Sequence, residues 1–146
     1  MADYTGENLV DGRYSAGATY KVVGKYTLGT AIAQNDTITW TNILPDGGVE
    51  VQDVKFYGVE LDTNATPTGT VDLGDGTDVD GFIDGGSVGL AAAGATQVSI
   101  NGDGAKMGTT YTDATSIVAT FPTAFATAAS SGDVFVVATY YCTGTV

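Results

Sequence analysis

The sequence predicts an all-β fold, an antiparallel two-sheet β-sandwich of the jelly-roll type with about seven or eight strands and at most one short helix. Two observations predict it. Short runs of alternating apolar and polar residues recur along the chain, as in half-buried strands. The composition is rich in Thr, Val and Tyr and contains 21 Gly, which favours strands joined by tight turns.

The length and charge of the chain limit its class. A chain of 146 residues fits one domain, and an apolar content of 43% suffices for a core. The net charge is −12, from five basic and seventeen acidic residues. So few bases argue against a nucleic acid or an anionic membrane surface as a partner. No apolar run could span a bilayer, and neither a secretory signal nor a second cysteine is visible, so we expect maturation in a reducing cytoplasm.

The first segment, residues 1–17, has no periodicity and several glycines. It is expected to be either a loose tail or a flexible arm that docks on a neighbouring subunit. Arg13 is the only arginine of the chain, and Lys21 and Lys25 follow soon after it. This early positive charge suits contact with an acidic partner. Residues 18–146 are expected to form the single β-sandwich domain.

Two strands are predicted in the next part of the chain. The run 19–28 alternates apolar and polar residues, which indicates a half-buried strand. In the run 37–41, Trp40 has the same phase as Ile38. Trp40 is therefore expected in the core and not as a platform for a sugar ring.

The segment 49–61 follows a strong turn signal and changes phase twice. Its apolar pairs are Val49 and Val51, then Val54 and Phe56, then Val59 and Leu61. A regular strand with one buried face cannot contain all three pairs. Either bulges near Gln52–Asp53 and at Gly58 keep the apolar side chains inward, or one face meets another subunit.

The second half of the chain begins with small residues. One or two helical turns are predicted from Ser87 to Ala93, followed by strands at 97–100 and 115–121 and by a loop or flat edge at 123–132. The last strand, 133–142, is apolar on both faces, as in a central strand or one under a subunit contact. Its predicted contact residues are Phe135, Val137 and Tyr141.

An aspartate-rich loop follows the strand at 70–73. Its first four carboxylates are candidate calcium ligands, since calcium prefers oxygen ligands on flexible loops: Asp72, Asp75, Asp78 and Asp80. The spacing departs from an EF-hand, because no Glu closes the loop. The alternative is a solvated turn in which the aspartates accept hydrogen bonds from nearby backbone amides.

Catalysis is not predicted, and no cofactor other than calcium is considered. The chain contains no histidine, which removes the commonest general base. Cys142 shares the phase of Ala138 and Tyr140, which indicates a buried, inert thiol. The carboxylates of a glycosidase are formally available, but they lie in glycine-rich loops where nothing would raise a pKa.

A resemblance extends over roughly residues 19–141. Its motifs, in order, are a threonine-rich strand, the turn Leu44-Pro45-Asp46-Gly47-Gly48, a valine strand ending Leu61-Asp62-Thr63-Asn64, the run Val71-Asp72-Leu73-Gly74-Asp75-Gly76-Thr77-Asp78, then Phe82-Ile83, and a closing Ile117-Val118-Ala119-Thr120. In this pattern the chain resembles small virion proteins of tailed bacteriophages. Such proteins accompany the major capsid protein as head decoration, cement or other structural proteins.

The resemblance implies a β-sandwich that often trimerises on the capsid surface, assembled in the bacterial host cytoplasm. It implies the phage major capsid protein and further copies of the chain as partners, and no enzymatic residues. A cement protein that bridges adjacent capsomers is the leading hypothesis. The alternatives are a tail, fibre or head-spike component, and a calcium-dependent carbohydrate-binding module.

Overall fold

The computed structural model describes residues 1–10, 18–89 and 97–143, and within them it contains eleven strands and no helix. The strands are β1 (Asp3–Thr5), β2 (Glu7–Val10), β3 (Thr19–Thr27), β4 (Thr37–Leu44), β5 (Val49–Val59), β6 (Thr70–Gly74), β7 (Ile83–Ser87), β8 (Gln97–Asn101), β9 (Thr110–Tyr111), β10 (Thr115–Thr120) and β11 (Asp133–Cys142). The prediction of an all-β fold is confirmed.

The strands form two sheets. Sheet A has the order β1-β4-β10-β6-β7, and sheet B has the order β2-β3-β11-β5-β8, with the short β9 also paired to β5. Eight strands form four nested antiparallel pairs, in which β6 pairs with β7, β5 with β8, β4 with β10 and β3 with β11. The chain is thus one long hairpin folded over into two four-stranded sheets, which is the jelly-roll arrangement.

The described strands outnumber the predicted seven or eight because of β1, β2 and β9. The strand β1 pairs in parallel with β4, from Asp3 opposite Thr37 to Thr5 opposite Thr39, while β2 pairs antiparallel with β3. Residues 3–10 therefore add one outer strand to each sheet and belong to the sandwich. Backbone hydrogen bonds hold this part of the predicted arm. Because every residue can form them, they produce no apolar periodicity from which the strands could be predicted. Residues 11–17, with Arg13, lie outside the described residues.

The core lies between the inner faces of the sheets. Its largest fully buried side chains come from both sheets and from the loops that close them: Trp40, Tyr140, Phe56, Phe82 and Phe121. The predicted burial of Trp40 in phase with Ile38, and of Cys142, is confirmed. Trp40 packs beneath two glycines, Gly6 of the β1–β2 connection and Gly24 of β3, where a Cβ atom would overlap the indole ring.

The phase changes of β5 have two explanations in the structure. The register between β5 and β11 shifts opposite Gln52, and the shift returns Val51 and Val54 to the buried side, as the bulge hypothesis predicted. Gly58 has a positive φ of 146° but continues the register with Val134 without a shift. The predicted second bulge is therefore wrong, and Val59 remains half-buried on the outer side beside Tyr57.

Three further segments bear on the predicted elements. The predicted strands at 97–100 and 115–121 are confirmed as β8 and β10. Helical turns were predicted from Ser87, but Ser87 ends β7 and Gly89 forms a parallel bridge with Asp62, while residues 90–96 lie outside the described residues. The strand β7 was not predicted because its sequence, IDGGS, contains two glycines and no apolar alternation.

Candidate functional site

The outer face of sheet B carries apolar and aromatic side chains on its central strands. Adjacent residues on β3, β11 and β5 form two rows across the sheet, one of Val23, Val137 and Lys55 and one of Lys25, Phe135 and Tyr57. The rings of Phe135 and Tyr57 stack with centroids 4.9 Å apart and planes 11° apart. All six side chains are only half-buried in the isolated chain. This face therefore offers apolar area that a partner could cover.

The structure brings together five of the six predicted contact residues. Those on the outer face of sheet B are Lys21, Lys25, Phe135, Val137 and Tyr141, and the sixth, Arg13, lies outside the described residues. Tyr141 is 36% exposed and is among the most exposed large apolar side chains of the described chain. Their contact with a partner remains a prediction. Tyr57 was not singled out from the sequence. It lies two residues before Val59, so the alternation of β5 places both side chains on the same face and could have indicated Tyr57 as a contact residue.

Charges of both signs surround this apolar strip. Lys25 lies 3.8 Å from the Asp133 carboxylate, which also accepts a hydrogen bond from the Thr27 hydroxyl at 2.5 Å. This face carries the lysines at 21, 25 and 55 and the acids Glu7, Glu50, Asp53 and Asp133, a net charge of about −1, whereas the whole chain carries −12. The face is thus far closer to electrical neutrality than the chain as a whole, and an approaching acidic surface meets less repulsion here than elsewhere.

The outer face of sheet A differs in chemistry. Its outward residues on β4 are Thr37, Thr39 and Thr41, and β10 adds Val118 and Thr120. These hydroxyl groups form a mainly polar surface, and its apolar side chains are Val118 on the central strand and the exposed Val79 of the loop after β6. Sheet B is the better candidate for docking, because its central strands carry several adjacent apolar side chains, including the stacked rings of Phe135 and Tyr57.

The acidic loop is organised around Asp75. Its Oδ1 atom accepts hydrogen bonds from the backbone amides of Thr77 (3.0 Å) and Asp78 (2.9 Å) and from the Thr77 hydroxyl (2.7 Å). Its Oδ2 atom accepts one from the Tyr111 hydroxyl (2.9 Å) and lies 3.8 Å from the Lys106 ammonium. Burial alone would raise the pKa of Asp75, but these hydrogen bonds outweigh burial and lower it to about 2. Asp75 thus stabilises its own turn.

The other predicted calcium ligands point to different partners. Asp72 accepts a hydrogen bond from the Gly85 amide at 2.8 Å, and burial together with the nearby carboxylates raises its pKa. The expectation that nothing in these loops would raise the pKa of a carboxylate is therefore wrong. A hydrogen bond to Asp80 raises the pKa of Asp78. Within residues 1–10, 18–89 and 97–143, no three acidic or cysteine side chains come close enough to hold a metal ion together. The geometry favours the turn alternative, and calcium binding remains an untested prediction.

Asp62, the most deeply buried acid among the described residues, was not singled out from the sequence. It is fully buried and accepts hydrogen bonds from four backbone amides at 2.8–2.9 Å, those of Thr68, Gly69, Ala126 and Thr127. Burial opposes its ionisation, yet these amides outweigh burial and lower the pKa well below its usual value. Asp62 therefore joins the loop after β5 to the loop before β11. Its only signal in the sequence was a charge at the end of an apolar strand.

Solved structures with a similar fold match nearly the whole chain. A chain in the cyanophage Pam1 capsid asymmetric unit matches with a TM-score of 0.68 and 27% identity, covering 91% of each chain. The chain is similar to a phage capsid component. A chain in the capsid of Ralstonia phage GP4 has the same fold, with a TM-score of 0.71 and 19% identity over 92% of this chain and 90% of its own.

These matches confirm the resemblance to phage virion proteins that was inferred from the sequence motifs. No protein-family model matches the chain, and neither does any curated protein. Among the described residues there is no helix long and apolar enough to cross a membrane.

Proposed function

We propose that this chain is a structural protein of a phage capsid, a decoration or cement protein that binds the outer head surface and stabilises contacts between capsomers. The observation that supports the proposal most is the likeness, over nine-tenths of both chains, to a chain of the cyanophage Pam1 capsid asymmetric unit. The partner proposed is the phage major capsid protein, and the location is the surface of the virion after assembly in the host cytoplasm.

The proposed contact surface is the outer face of sheet B. It combines the stacked rings of Phe135 and Tyr57 with Val137, and aromatic side chains of this kind contribute most to binding when a partner covers them. Its lysines reduce the repulsion that a net charge of −12 would cause. Many copies on one shell would also add their weak contacts together by avidity.

Self-association into a trimer is proposed as part of the same function. Closed symmetric oligomers bury apolar faces that single chains leave exposed. Size-exclusion chromatography with light scattering measures the mass directly. A species of three chains supports this part of the proposal, and a strictly monomeric species at high concentration contradicts it.

The test of docking adds purified protein to capsids that lack decoration. We expect the protein to co-sediment with the shells and to raise their melting temperature. Val137→Asp, on the outer face of sheet B, is expected to abolish both effects because it places a charge in the apolar strip. Val118→Asp is the matched control, since Val118 is also a half-buried, outward-facing valine of a central strand but belongs to sheet A.

Two results would contradict the proposal. One is a wild-type protein that neither co-sediments with the shells nor changes their melting temperature. The other is equal loss of binding in Val137→Asp and Val118→Asp, which would remove the role of sheet B. Locating the chain in a map of the virion separates a head protein from a tail, fibre or head-spike component.

A further inference from the structure

A second feature of the molecule lies away from the outer face of sheet B. A cavity of about 630 Å³ opens where the end of β4 and the start of β10 meet the loops after β6 and before β9. Most of the residues that line it carry a polar group, and they include Asn42, Thr77, Lys106, Tyr111, Thr115 and Ser116. A volume of this size is within the range of small-molecule sites, about 300–1,000 Å³.

The backbone departs from regular geometry on two sides of this cavity. Asn42 has a φ of 50°, which is uncommon for a residue other than glycine. Opposite it, the register between β10 and β4 shifts between Thr115 and Ile117, and the amide of Asn42 donates to the Ser116 hydroxyl oxygen at 2.9 Å. Bulges and positive φ values of this kind are concentrated next to binding sites, where they redirect side chains.

The charged groups of the cavity are already paired with each other. Asp75, only 4% exposed, lies beneath it with its carboxylate beside the Lys106 ammonium at 3.8 Å and the Tyr111 hydroxyl at 2.9 Å. Burial and the neighbouring carboxylate raise the pKa of Tyr111, which keeps the phenol protonated and oriented towards Asp75. Asp78 also lies near Lys106 and Tyr111, so the cavity has no excess positive charge.

We propose that this cavity binds a neutral saccharide unit. Sugar hydroxyl groups both donate and accept hydrogen bonds. The lining offers the exposed side-chain amide of Asn42 and the Lys106 side chain, which is one-third exposed. The Ser116 hydroxyl can still donate, and the Thr77 hydroxyl, which donates to Asp75, can still accept. The half-buried ring of Tyr111, held by Asp75, provides apolar area. An anionic ligand fits less well, because the one cation present is paired and the chain carries a charge of −12.

This site is separate from the proposed docking face, and although Asp75, a predicted calcium ligand, belongs to its lining, the proposal does not require calcium. Its residues belong to the β4 and β10 end of sheet A and to adjoining loops, whereas docking was assigned to sheet B. Failure of either proposal therefore leaves the other standing.

The experiment is an NMR titration of the full ¹⁵N-labelled chain with glucose, galactose, mannose and N-acetylglucosamine, and with maltotriose and cellotriose, in the presence of EDTA. We expect saturable shifts with at least one of these sugars, confined to amides around the cavity such as those of Gly76, Lys106 and Ser116. Asn42→Gly is expected to weaken binding at least about tenfold, a change equivalent to about 1.4 kcal/mol. Glycine tolerates the positive φ, so the fold is retained.

Asn35→Gly is the matched control, because Asn35 is also an exposed asparagine with a positive φ, 67°, and it does not line the cavity. Its affinity for the sugar should equal that of the wild type. The proposal is overturned if none of the six sugars gives saturable shifts, if the shifts map elsewhere, or if Asn42→Gly and Asn35→Gly bind equally well. Binding that requires added calcium would also overturn it.

Discussion

The indole ring of Trp40 on sheet A lies directly against the backbone of Gly24 on sheet B. A Cβ atom built on Gly24 would approach the indole Cγ to 2.8 Å and other ring atoms at least as closely. The ring is fully buried, so it cannot move into solvent to make room. The spacing of the two sheets at this point therefore depends on the absence of a side chain at position 24.

Replacing Gly24 with alanine is expected to lower the free energy of unfolding. An added methyl group in a filled core costs about 1–3 kcal/mol, which exceeds the gain of about 0.5–1 kcal/mol from removing a glycine from a strand. Urea denaturation measures the change. Gly29→Ala is the control, because a Cβ atom at position 29 would meet nothing within 4 Å, and it should leave stability unchanged or slightly higher. Equal stability of Gly24→Ala and wild type would contradict the packing described.

The substitution Asp62→Asn tests the buried carboxylate. It keeps the shape of the side chain but places an NH₂ group where backbone amides donate, so buried donors lose their acceptor. We expect a loss of about 3 kcal/mol or more in the free energy of unfolding. Asp46→Asn, at an exposed turn, should change stability little. A small effect at position 62 would show that the two loops are held by other contacts.

Acid is expected to destabilise the chain through its hydrogen-bonded carboxylates. The folded state lowers the pKa of Asp75 from 3.8 to about 2, so the unfolded chain takes up this proton first as the pH falls. Asp75 therefore contributes its full stability at pH values above 3.8, the usual pKa of an aspartate. This contribution is lost as the pH falls from 3.8 towards about 2. Asp36 and Asp62, whose pKa values are also lowered, act in the same direction.

Melting temperatures across this pH range measure the effect. Asp75→Asn is expected to melt lower at neutral pH and to show a shallower decline in acid, because one titrating group is gone. An unchanged acid slope would contradict the assignment. At the other extreme, the raised pKa values of Tyr111 and Tyr26 predict that stability is lost as the pH rises past 10.0, and Tyr111→Phe should reduce that loss.

Removing residues 1–6 is expected to uncover Trp40. Gly6 packs on the indole ring and donates its amide to the Thr39 carbonyl at 2.7 Å, and Asp36 binds the Ala2 amide at 2.8 Å. Since Trp40 is the only tryptophan, its fluorescence reports on this cover. We expect emission at longer wavelength and stronger quenching by acrylamide. Asp3→Ala, which removes one side-chain hydrogen bond to Thr37 and leaves Gly6 in place, is the control and should leave emission unchanged.

The unpredicted features share one physical cause. The acidic loop could be located from the sequence, but the role of Asp75 could not, because Tyr111 and Lys106 reach it from more than thirty residues away. Asp62 was missed for the same reason, since two of its amide donors, those of Ala126 and Thr127, come from a loop distant in the chain. The strand β1 was missed because edge pairing uses backbone atoms, which every residue has.

The sequence by itself determined the all-β class, the inward phase of Trp40 and Ile38, the phase change near Gln52 and the two-sided strand β11, because each depends on the local period of apolar residues. Only the tertiary structure decided which strands are neighbours, that residues 3–10 close one edge of both sheets, and which outer face is apolar. Those features arise where segments distant in the chain meet. Local alternation specifies the side to which a residue points, and nested long-range pairing specifies what it meets there.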